Sequence, residues 1–552
     1  MTDEPREIEI KFDAPQADIR ERLRQEQPFA PTYTLSPAQE SVTHDDTYLD
    51  TPSYSLLRAG FSLRVRQQDE AQVVTIKSLT SLTSGPLHDR SEWEAALPSG
   101  FAPDKVKSWP SELRQRLGKI LGRGGKHQWA RLHPIARLSQ ERHKRMLTLS
   151  ESAPTETSLP NGMPNDLIGE LSIDTVQVFA PETDGDTPLA QFAEVEFELS
   201  DESQRQHIQP ITQTLAKELG LLPAEESKVQ RALRATVAHP LGYAASASGI
   251  QPQTTMAEAA RLIWRQQLME MILWEAGSRT GADIEPVHQM RVSTRMARAA
   301  VSLFADYFKP GAIRSHVKAL RHTGRLLGAV RDRDVALLNL EKYAKSQPPA
   351  ARKGLRTVAR TWKSEHKAAR KALLAWLDSP TYQAFIADFD TFCRTPGAGV
   401  VEVIWQAGQP LVPVQVRHVL PSVMTQQYAA MRAYEVLFEE MESVPEEALH
   451  ALRIEGKRLR YCLEFTKHLL GEPGAALIAN LRDIQDILGD LNDAVVSRGQ
   501  LRAIEKQGEA VAAYIAEQQG IVDTLRSQFL EHFRRFVGSA NRSTLAEAVA
   551  LL

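Results

Sequence analysis

Short segments of alternating charged and apolar residues run through the first half of the chain. The first, Glu-Ile-Glu-Ile-Lys at residues 7–11, puts two carboxylates and an ammonium on one side and two isoleucines on the other. A period of two predicts a β-strand with one charged face and one apolar face. The same pattern returns at residues 61–66, 73–77, 90–94, 140–149, 169–174 and 194–199. At least seven short strands are therefore expected, each with a charged face that the fold has to accommodate.

The charged faces mix acids with arginine or lysine on nearly every strand. An open sheet would turn these faces to water, and the opening segment would then be a solvated edge strand. A closed antiparallel barrel would instead point one set of faces into its lumen. Such a lumen is a hydrated tunnel in which carboxylates collect a divalent cation and basic side chains collect phosphates. Because acids and bases recur together, we expect the barrel.

Several of these motifs resemble the CYTH family of triphosphate tunnel metalloenzymes. They are Glu-x-Glu-x-Lys at residues 7–11, Leu-Arg-Val-Arg at 63–66, Arg-x-Glu-x-Glu at 90–94, Glu-x-Glu-x-Glu at 194–198 and Ser-Lys at 227–228. The resemblance covers about residues 5–235. It implies an eight-stranded antiparallel tunnel barrel with accessory helices in residues 1–235, a triphosphate-bearing substrate, and Mg²⁺ or Mn²⁺ as the cofactor.

The resemblance also implies roles for individual residues. The metal-side carboxylates would be Glu7, Glu9, Glu170, Asp174, Glu194 and Glu196. The phosphate-side cations would be Lys11, Arg64, Arg66, Lys77, Arg90, Arg142 and Lys228. The catalytic set would be Glu7, Glu9, Lys11, Arg64 and Arg66, with Glu92 and Glu94 supporting the lumen or positioning water. The family often has a glycine shortly after the position of Asp174. Here Thr-Val-Gln follows, which leaves the local turn and the role of Asp174 open.

The charge pattern itself suggests the chemistry. A triphosphate repels a nucleophile until its charges are neutralised by cations. A second bound metal can lower the pKa of a water molecule and direct it at phosphorus. No Ser-His-Asp or Cys-His set stands out, and the P-loop signature Gly-x-x-x-x-Gly-Lys-Ser/Thr is missing, which argues against the ordinary NTPase fold.

The apolar period changes to about 3.6 in the second half, after a linker predicted at residues 236–255. Helices are predicted at 254–278, 285–308, 311–346, 350–379, 381–394, 414–441, 446–470, 474–507, 509–538 and 543–552. The charge balance changes as well. Residues 1–255 hold 27 Lys+Arg and 36 Asp+Glu, a net of −9, whereas residues 256–552 hold 39 and 33, a net of +6. This asymmetry often marks a half that binds a polyanion.

The predicted helices fall into two similar sets. The block His-x-x-Arg at residues 288–291 aligns with the one at 450–453 at an offset of 162, and residues 327–332 align with 488–493 at an offset of 161. Two matching blocks at nearly one offset predict two helical hairpins packed about a pseudo-two-fold axis. An all-α second domain is therefore expected at residues 256–552, with repeats at about 256–395 and 414–552.

Basic residues form stripes on these predicted helices. His288, Arg291, Arg295 and Arg298 are three or four positions apart, so they share one helix face. Three further stripes contain His450, Arg453, Lys457 and Arg460; Arg314, Lys318, Arg321 and Arg325; and Lys353, Arg356, Arg360, Lys363, Lys367 and Arg370. A solvated basic face is the simpler interpretation of any one stripe. Four stripes, two of them related by the repeat, favour a long anion.

The paired His-x-x-Arg blocks resemble the CHAD family, an α-helical domain, over about residues 256–552. This resemblance implies that inorganic polyphosphate binds along a basic groove between the two halves. The residues placed for those contacts are His288, Arg291, Arg295, Arg321, Arg325, His450, Arg453, Lys457, Arg458 and Arg482. Nucleic acid is the competing polyanion. It ranks lower because few aromatic residues are interleaved with the cations and no groove-reading motif is found.

Three interpretations of function remain open. The first is an inorganic triphosphatase that uses Mg²⁺ or Mn²⁺ to release diphosphate and phosphate, with a helical domain that binds polyphosphate. The second is a non-catalytic polyphosphate-binding protein whose barrel only grips the end of a phosphate chain. The third keeps the tunnel but changes the substrate to thiamine triphosphate or a nucleoside triphosphate, including cyclisation of ATP.

The sequence also predicts the compartment. The two cysteines, Cys393 and Cys462, cannot form a disulfide framework or a four-thiolate zinc site, which fits a reducing cytosol. The first eleven residues are acidic and lack the apolar core of a secretory signal. No uncharged apolar run approaches the ~20 residues that a membrane helix needs. We therefore expect a cytoplasmic protein without a membrane partner.

Overall fold

The computed structural model divides the chain into two compact units, Met1–Ser248 with Ile272–Thr280, and Gly249–Met271 with Gly281–Leu552. It describes residues 6–68, 71–79, 86–98, 101, 108–121, 132–150, 167–181, 187–238, 249–402, 407, 411–440, 444–503 and 508–552. Residues 239–248 of the predicted linker lie outside this described part.

The first unit is built on a sheet of ten strands among the described residues. They are β1 (Arg6–Asp13), β2 (Tyr33–Leu35), β3 (Val42–Asp50), β4 (Phe61–Gln68), β5 (Ala71–Ser78), β6 (Leu87–Leu97), β7 (His133–Leu149), β8 (Leu167–Phe179), β9 (Ala190–Leu199) and β10 (Leu222–Pro223). Eight strands follow one another in the order β1-β6-β5-β4-β3-β7-β8-β9, and β9 pairs again with β1. All these pairings are antiparallel, so the predicted eight-stranded closed barrel is confirmed.

The apolar faces of the strands build the core outside the barrel wall. Ile8, Ile10 and Phe12 of β1 are at most 5% exposed and cluster with Leu23 and Phe197. Leu23 belongs to α1 (Ala17–Gln25), one of five α-helices described in the region before residue 239. The other four are α2 (Ser55–Arg58), α3 (Ser111–Leu121), α4 (Ile208–Gln213) and α5 (Lys228–Ala238). Because one face of each strand packs outward against these helices, the alternate charged residues must point inward.

The second unit is helical. Its helices are α6 (Met256–Thr280), α7 (Glu285–Phe304), α8 (Pro310–Ser346), α9 (Pro349–Leu377), α10 (Pro380–Arg394), α11 (Val416–Arg432), α12 (Glu435–Glu440), α13 (Glu446–Phe465), α14 (Gly471–Arg502), α15 (Glu509–Val537) and α16 (Ser539–Ala550). The last residues of α6, Ile272–Thr280, group with the first unit. No described helix is both long enough and apolar enough to span a membrane.

The internal duplication is visible in the helix lengths. Helices α7 to α10 have 20, 37, 29 and 15 residues, and α13 to α16 have 20, 32, 29 and 12. The sequence blocks aligned above fall on equivalent helices, with His288 in α7 and His450 in α13. The second half is therefore an all-α domain with an internal duplication, as predicted, and the structure shows the similar part to be four helices long in each half.

Candidate functional site

The charged faces of the barrel strands enclose a cavity of about 490 Å³. Eleven of the site residues expected from the sequence line it: Glu7, Lys11, Arg64, Arg66, Lys77, Arg90, Glu92, Glu94, Arg142, Glu196 and Lys228. Four expected carboxylates are not among the lining residues: Glu9 on β1, Glu170 and Asp174 on β8, and Glu194 on β9. The lumen therefore brings acids and bases together, in contact with one shared space.

One acidic cluster surrounds Lys77. Its ammonium contacts Glu7 and lies 3.3 Å from Glu9 and 3.5 Å from Glu92. Lys11 also lies 3.3 Å from Glu9, which is 2% exposed. Three carboxylates from two adjacent strands thus share one or two ammonium groups, and the cluster keeps a surplus of negative charge.

The surplus of negative charge in this cluster raises the pKa of some of its carboxylates. Burial, together with the neighbouring Glu9 carboxylate, raises the pKa of Glu7 to about 8. Burial and Glu9 also raise the pKa of Glu198, on the next strand, to about 7. Glu9 itself is fully buried, but the attraction of Lys11 and Lys77 outweighs burial and lowers its pKa to about 2. The cluster favours either extra protons or a bound cation.

A second acidic cluster consists of Asp174, Glu194 and Glu196. Each offers an oxygen atom within 4.8 Å of the other two, and all three residues are buried. Lys228, the first residue of α5, places its ammonium 2.8 Å from a carboxylate oxygen of each. Arg142 donates two hydrogen bonds to Asp174, of 2.8 and 2.6 Å, and one of 2.6 Å to Glu196. Basic groups therefore neutralise this cluster more completely than the first one.

Asp174 lies within a regular strand, although the glycine expected shortly after it is replaced by Thr-Val-Gln. Strand β8 continues beyond Asp174 to Phe179, and Thr175 pairs with Ala193 in the ladder. There is no turn after Asp174, and its side chain is held in the lumen by Arg142 and Lys228.

The arginines of β4 form the phosphate-side group. Arg66 donates hydrogen bonds of 2.7 and 2.8 Å to the two oxygens of Asp46, which fixes the plane of its guanidinium. Arg64 lies 3.8 Å from Asp46, and donates to Thr75 at 3.0 Å and to Glu94 at 3.3 Å. Arg64 has the longer and weaker contacts of the two, so it is the more available for an incoming anion.

Two expected residues are engaged outside these clusters. Glu170 lies 2.9 Å from Lys144 and accepts a hydrogen bond of 3.1 Å from Ser172. Arg90 lines the cavity and contacts His88 at 2.6 Å, with Glu9 3.8 Å away. Arg90 therefore lies beside the first acidic cluster, whereas Glu170 makes a local ion pair.

The helical domain has a separate cavity of about 900 Å³ between α7, α8, α11 and α13. Of the residues expected to bind an anion, Arg295, Arg321, Lys457 and Arg458 line it. Arg298, from the same helix face as Arg295, lines it as well. We call this cavity the basic groove.

The other expected residues of the helical domain have individual surroundings. Arg291 lies 3.8 Å from Asp332, and the ring of His450 faces a different cavity, of about 260 Å³, with Asn492 at 3.1 Å. Outside the wall of the groove lie His288, Arg291, Arg325, His450, Arg453 and Arg482. Arg325 donates to His322 at 2.9 Å and Arg482 to Glu464 at 3.1 Å.

Positive charges in and beside the groove lower one another's pKa. Burial and the nearby guanidinium groups of Arg453 and Arg295 lower the pKa of Lys457 to about 7. Burial also lowers the pKa of Arg295, with Arg291 adding to the effect. A groove that holds cations against their mutual repulsion gains stability when an anion binds in it.

Family models match both halves of the chain. The family model of the CYTH domain matches residues 5–233, and that of the CHAD domain matches residues 262–502. The chain is a CYTH domain fused to a CHAD domain.

Two relatives are similar to this chain over most of its length. Two uncharacterized proteins of Mycobacterium tuberculosis, from strains CDC 1551 / Oshkosh and H37Rv, are each 26% identical over 510 residues, covering 90% of this chain and 88% of theirs.

Three similar solved structures each cover about half of the chain. The CHAD domain from the plant Ricinus communis is 24% identical, with a TM-score of 0.39, and covers 56% of this chain and 95% of its own. PptA from Streptomyces chartreusis is 16% identical, with a TM-score of 0.38, and covers 51% and 99%. HpAC1 from Hippeastrum, described with a dominant triphosphatase activity, is 16% identical, with a TM-score of 0.29, and covers 43% and 100%.

The CYTH barrel also contains lumen residues that the sequence analysis missed. Glu198 lines the cavity one strand away from Glu7, and it continues the alternation of residues 194–198. Tyr48 lines the cavity and Asp46 holds Arg66, both from β3. Strand β3 was not predicted because Thr43, His44, Asp45 and Asp46 are all polar, so charged and apolar residues do not alternate there.

The donor atoms of the CYTH barrel fit a divalent cation. Asp174, Glu194 and Glu196 offer three carboxylate oxygens in one buried place. Glu7 and Glu9 offer further carboxylates whose charge Lys77 only partly balances. Oxygen ligands of this kind suit hard cations, so the CYTH barrel has the residues that a bound divalent metal requires.

Proposed function

We propose that the CYTH barrel hydrolyses inorganic triphosphate to diphosphate and phosphate with Mg²⁺ or Mn²⁺, and that the basic groove of the CHAD domain binds inorganic polyphosphate. One observation carries the proposal for the barrel. A closed lumen with a cavity of about 490 Å³ presents carboxylates and basic side chains to one shared space. That combination suits a substrate that is itself a polyanion bound to a cation.

The basic side chains of the lumen would hold the triphosphate. Arg64 and Arg66 enter from β4, Arg142 from β7 and Lys11 from β1. Guanidinium groups match the planar geometry of phosphate oxygens and neutralise the charge that otherwise repels a nucleophile. Asp46 keeps Arg66 in one orientation, so part of the binding geometry exists before the substrate enters.

The carboxylates would supply the metal sites. The candidates are Asp174, Glu194 and Glu196 on β8 and β9, and Glu7 and Glu9 on β1, which pairs with β9. A bound divalent cation would neutralise phosphate oxygens and lower the pKa of water. Glu92, which is 3.5 Å from Lys77 and lines the cavity, would orient a water molecule. No covalent nucleophile is needed for this reaction.

The walls of the cavity favour an inorganic substrate. Tyr48 is the one aromatic residue among the described wall residues, and it is 6% exposed. A nucleobase or a thiamine ring is usually held by stacking on an exposed aromatic surface. Thiamine triphosphate and nucleoside triphosphates, including cyclisation of ATP, are therefore the second choice.

Phosphate release by the purified full-length protein tests this proposal. Triphosphate, thiamine triphosphate and ATP are compared with Mg²⁺, with Mn²⁺ and with a chelator. We expect turnover of triphosphate that needs the metal and that falls at least about a hundredfold in Glu7→Ala and in Arg64→Ala. Arg22→Ala, on the exposed surface of α1, is the matched control and should retain activity. Full activity of both lumen variants would reject the assignment.

The proposal for the CHAD domain rests on the basic groove. Arg295, Arg298, Arg321, Lys457 and Arg458 line one cavity. Polyphosphate retention by the full-length protein, lost when Arg295 and Lys457 are replaced by alanine, is the expected result. Retention without turnover of any triphosphate would instead support the non-catalytic alternative.

A cytoplasmic location is part of the proposal. Cys393 and Cys462 are both free and buried, which supports a reducing compartment.

A further inference from the structure

The two CHAD repeats differ strongly in charge although they share one architecture. Helices α8 and α9 together carry 16 Lys+Arg and 4 Asp+Glu, whereas their repeat counterparts α14 and α15 carry 6 and 9. Helix α9 alone has 8 basic residues and 1 acid, and α15 has 3 and 4. Since α15 occupies the equivalent place with a balanced charge, the fold does not require the basic charge of α9.

The basic residues of α9 lie along its solvent face. Leu355, Val358 and Trp362 are buried on the opposite face. The exposed basic residues include Lys353, Arg356, Arg360, Lys363 and Lys367, which are three or four positions apart. We call this set the α9 stripe. At about 1.5 Å per residue it extends for roughly 20 Å.

Acidic side chains do little to neutralise the α9 stripe. The single acid of the helix, Glu365, lies 2.8 Å from Arg333 of α8. Among the described residues, Lys353, Arg356 and Lys367 form no ion pair. Like charges three and four residues apart oppose helix formation, so the α9 stripe carries a cost that the balanced helix α15 avoids.

The α9 stripe leads away from the basic groove. Arg321 lines the groove, and one residue further His322 packs its ring 4.4 Å from that of Trp376, near the end of α9. The indole of Trp376 also donates a hydrogen bond of 2.9 Å to Thr323. Because α9 runs antiparallel to α8, the stripe ends at Lys367, nine residues before Trp376 and roughly 13 Å along the helix from this end of the groove, and it continues outward from there.

We propose that the α9 stripe extends the anion site, so that the protein selects long polyphosphate chains over short ones. This inference rests on the proposed function of the groove. A short chain fills the groove alone, and a longer chain also reaches the α9 stripe, where each further contact adds to the affinity of the same molecule. The stripe is one helix wide and has no exposed aromatic residue to stack a base, because Trp362 is buried. A thin phosphate chain therefore fits it better than a nucleic acid.

The double variant Arg356→Glu/Lys367→Glu tests the proposal in the full-length protein. Its matched control is Arg534→Glu/Arg535→Glu on α15, which changes the net charge equally at exposed positions of the repeat counterpart. The dissociation constant is measured for a short polyphosphate that the groove alone can hold and for a long one. We expect the α9 variant to bind the long chain about tenfold more weakly and the short chain as the wild type does, while the control retains both affinities.

The thermal midpoint of the α9 variant should equal or exceed that of the wild type, because the substitutions relieve repulsion along the helix. Undiminished binding of the long chain by the α9 variant would overturn the proposal. So would an equal loss for both lengths, or a loss of duplex RNA binding with polyphosphate unaffected, which would identify nucleic acid as the occupant. If the wild type binds neither length, the proposed function of the groove fails, and this inference fails with it.

Discussion

The ammonium of Lys228 lies 2.8 Å from a carboxylate oxygen of Glu196, and this contact anchors the start of α5 inside the barrel. Asp174 and Glu194 stand at the same distance from the ammonium. One side chain thus balances much of an acidic cluster that also has the geometry of a metal site.

Replacing Lys228 by methionine leaves three buried carboxylates with fewer counter-charges. We expect the free energy of unfolding to fall by about 3 kcal/mol, as when one partner of a buried ion pair is removed. Added Mg²⁺ or Mn²⁺ should restore part of this loss in Lys228→Met by taking the place of the ammonium. Denaturant unfolding with and without the metal measures both effects. A variant that is as stable as the wild type, or one that the metal does not help, would contradict this account.

Asp46 is expected to act through Arg66 and not on the substrate directly. In Asp46→Asn the guanidinium keeps a hydrogen-bond acceptor but loses the paired, charge-assisted contact. We expect kcat/KM for triphosphate to fall by about tenfold, mostly through KM, because the phosphate-binding geometry is loosened. Steady-state kinetics of Asp46→Asn and Asp45→Asn make the comparison, since the adjacent carboxylate does not contact Arg66. Equal effects of the two substitutions would remove the special role of Asp46.

Lys457 should reduce the stability of the free protein in a pH-dependent way. Burial and nearby arginines lower its pKa from 10.5 to about 7, so the folded state binds fewer protons than the unfolded state between these values. The cost is complete below pH 7 and disappears as the pH rises toward 10.5. We expect Lys457→Met to be more stable than the wild type at pH 6, on the order of 1 kcal/mol after solvent screening, and equally stable near pH 10.5. Thermal unfolding of this variant and of the exposed control Lys318→Met checks the difference.

Anion binding at the groove should draw a proton onto Lys457. At pH 8 the side chain is mainly neutral in the free protein, and a bound phosphate chain favours its charged form. Calorimetric titration with polyphosphate in buffers of different ionisation enthalpy measures this uptake. We expect a fraction of a proton per binding event in the wild type and a smaller uptake in Lys457→Met. The same uptake in both proteins would assign the proton to another group.

The barrel could be predicted from the sequence because charged and apolar residues alternate strictly along most of its strands. The alternation at residues 7–11 and 194–199 is local, and it survives in β1 and β9. Strand β3 was harder, because its residues before Tyr48 are largely exposed and polar, so no apolar face marks it. Asp46 belongs to that stretch and was missed for this reason.

Local sequence patterns did not predict where some helices end or which residues surround a given side chain. The spacing of residues 446–470 predicts one helix, and α13 ends at Phe465 before a short 3₁₀ turn. The predicted helix at 414–441 is interrupted between α11 and α12. The repeat predicts equivalent roles for Arg298 and Arg460, yet Arg298 lines the basic groove while Arg460 lies 3.8 Å from Glu464. Side-chain surroundings differ between repeats even when the backbone is shared.

The closure of the barrel has a consequence for how the protein is made. Ile10 of the first strand pairs with Phe197, close to the end of the CYTH domain. Because β1 is synthesised long before β9, one edge of β1 stays unpaired until β9 has been made. Such a long-range pairing makes folding slow and exposes the edge to wrong partners in the meantime. Chains that stop before β9 can align neighbouring strands but cannot complete the ring.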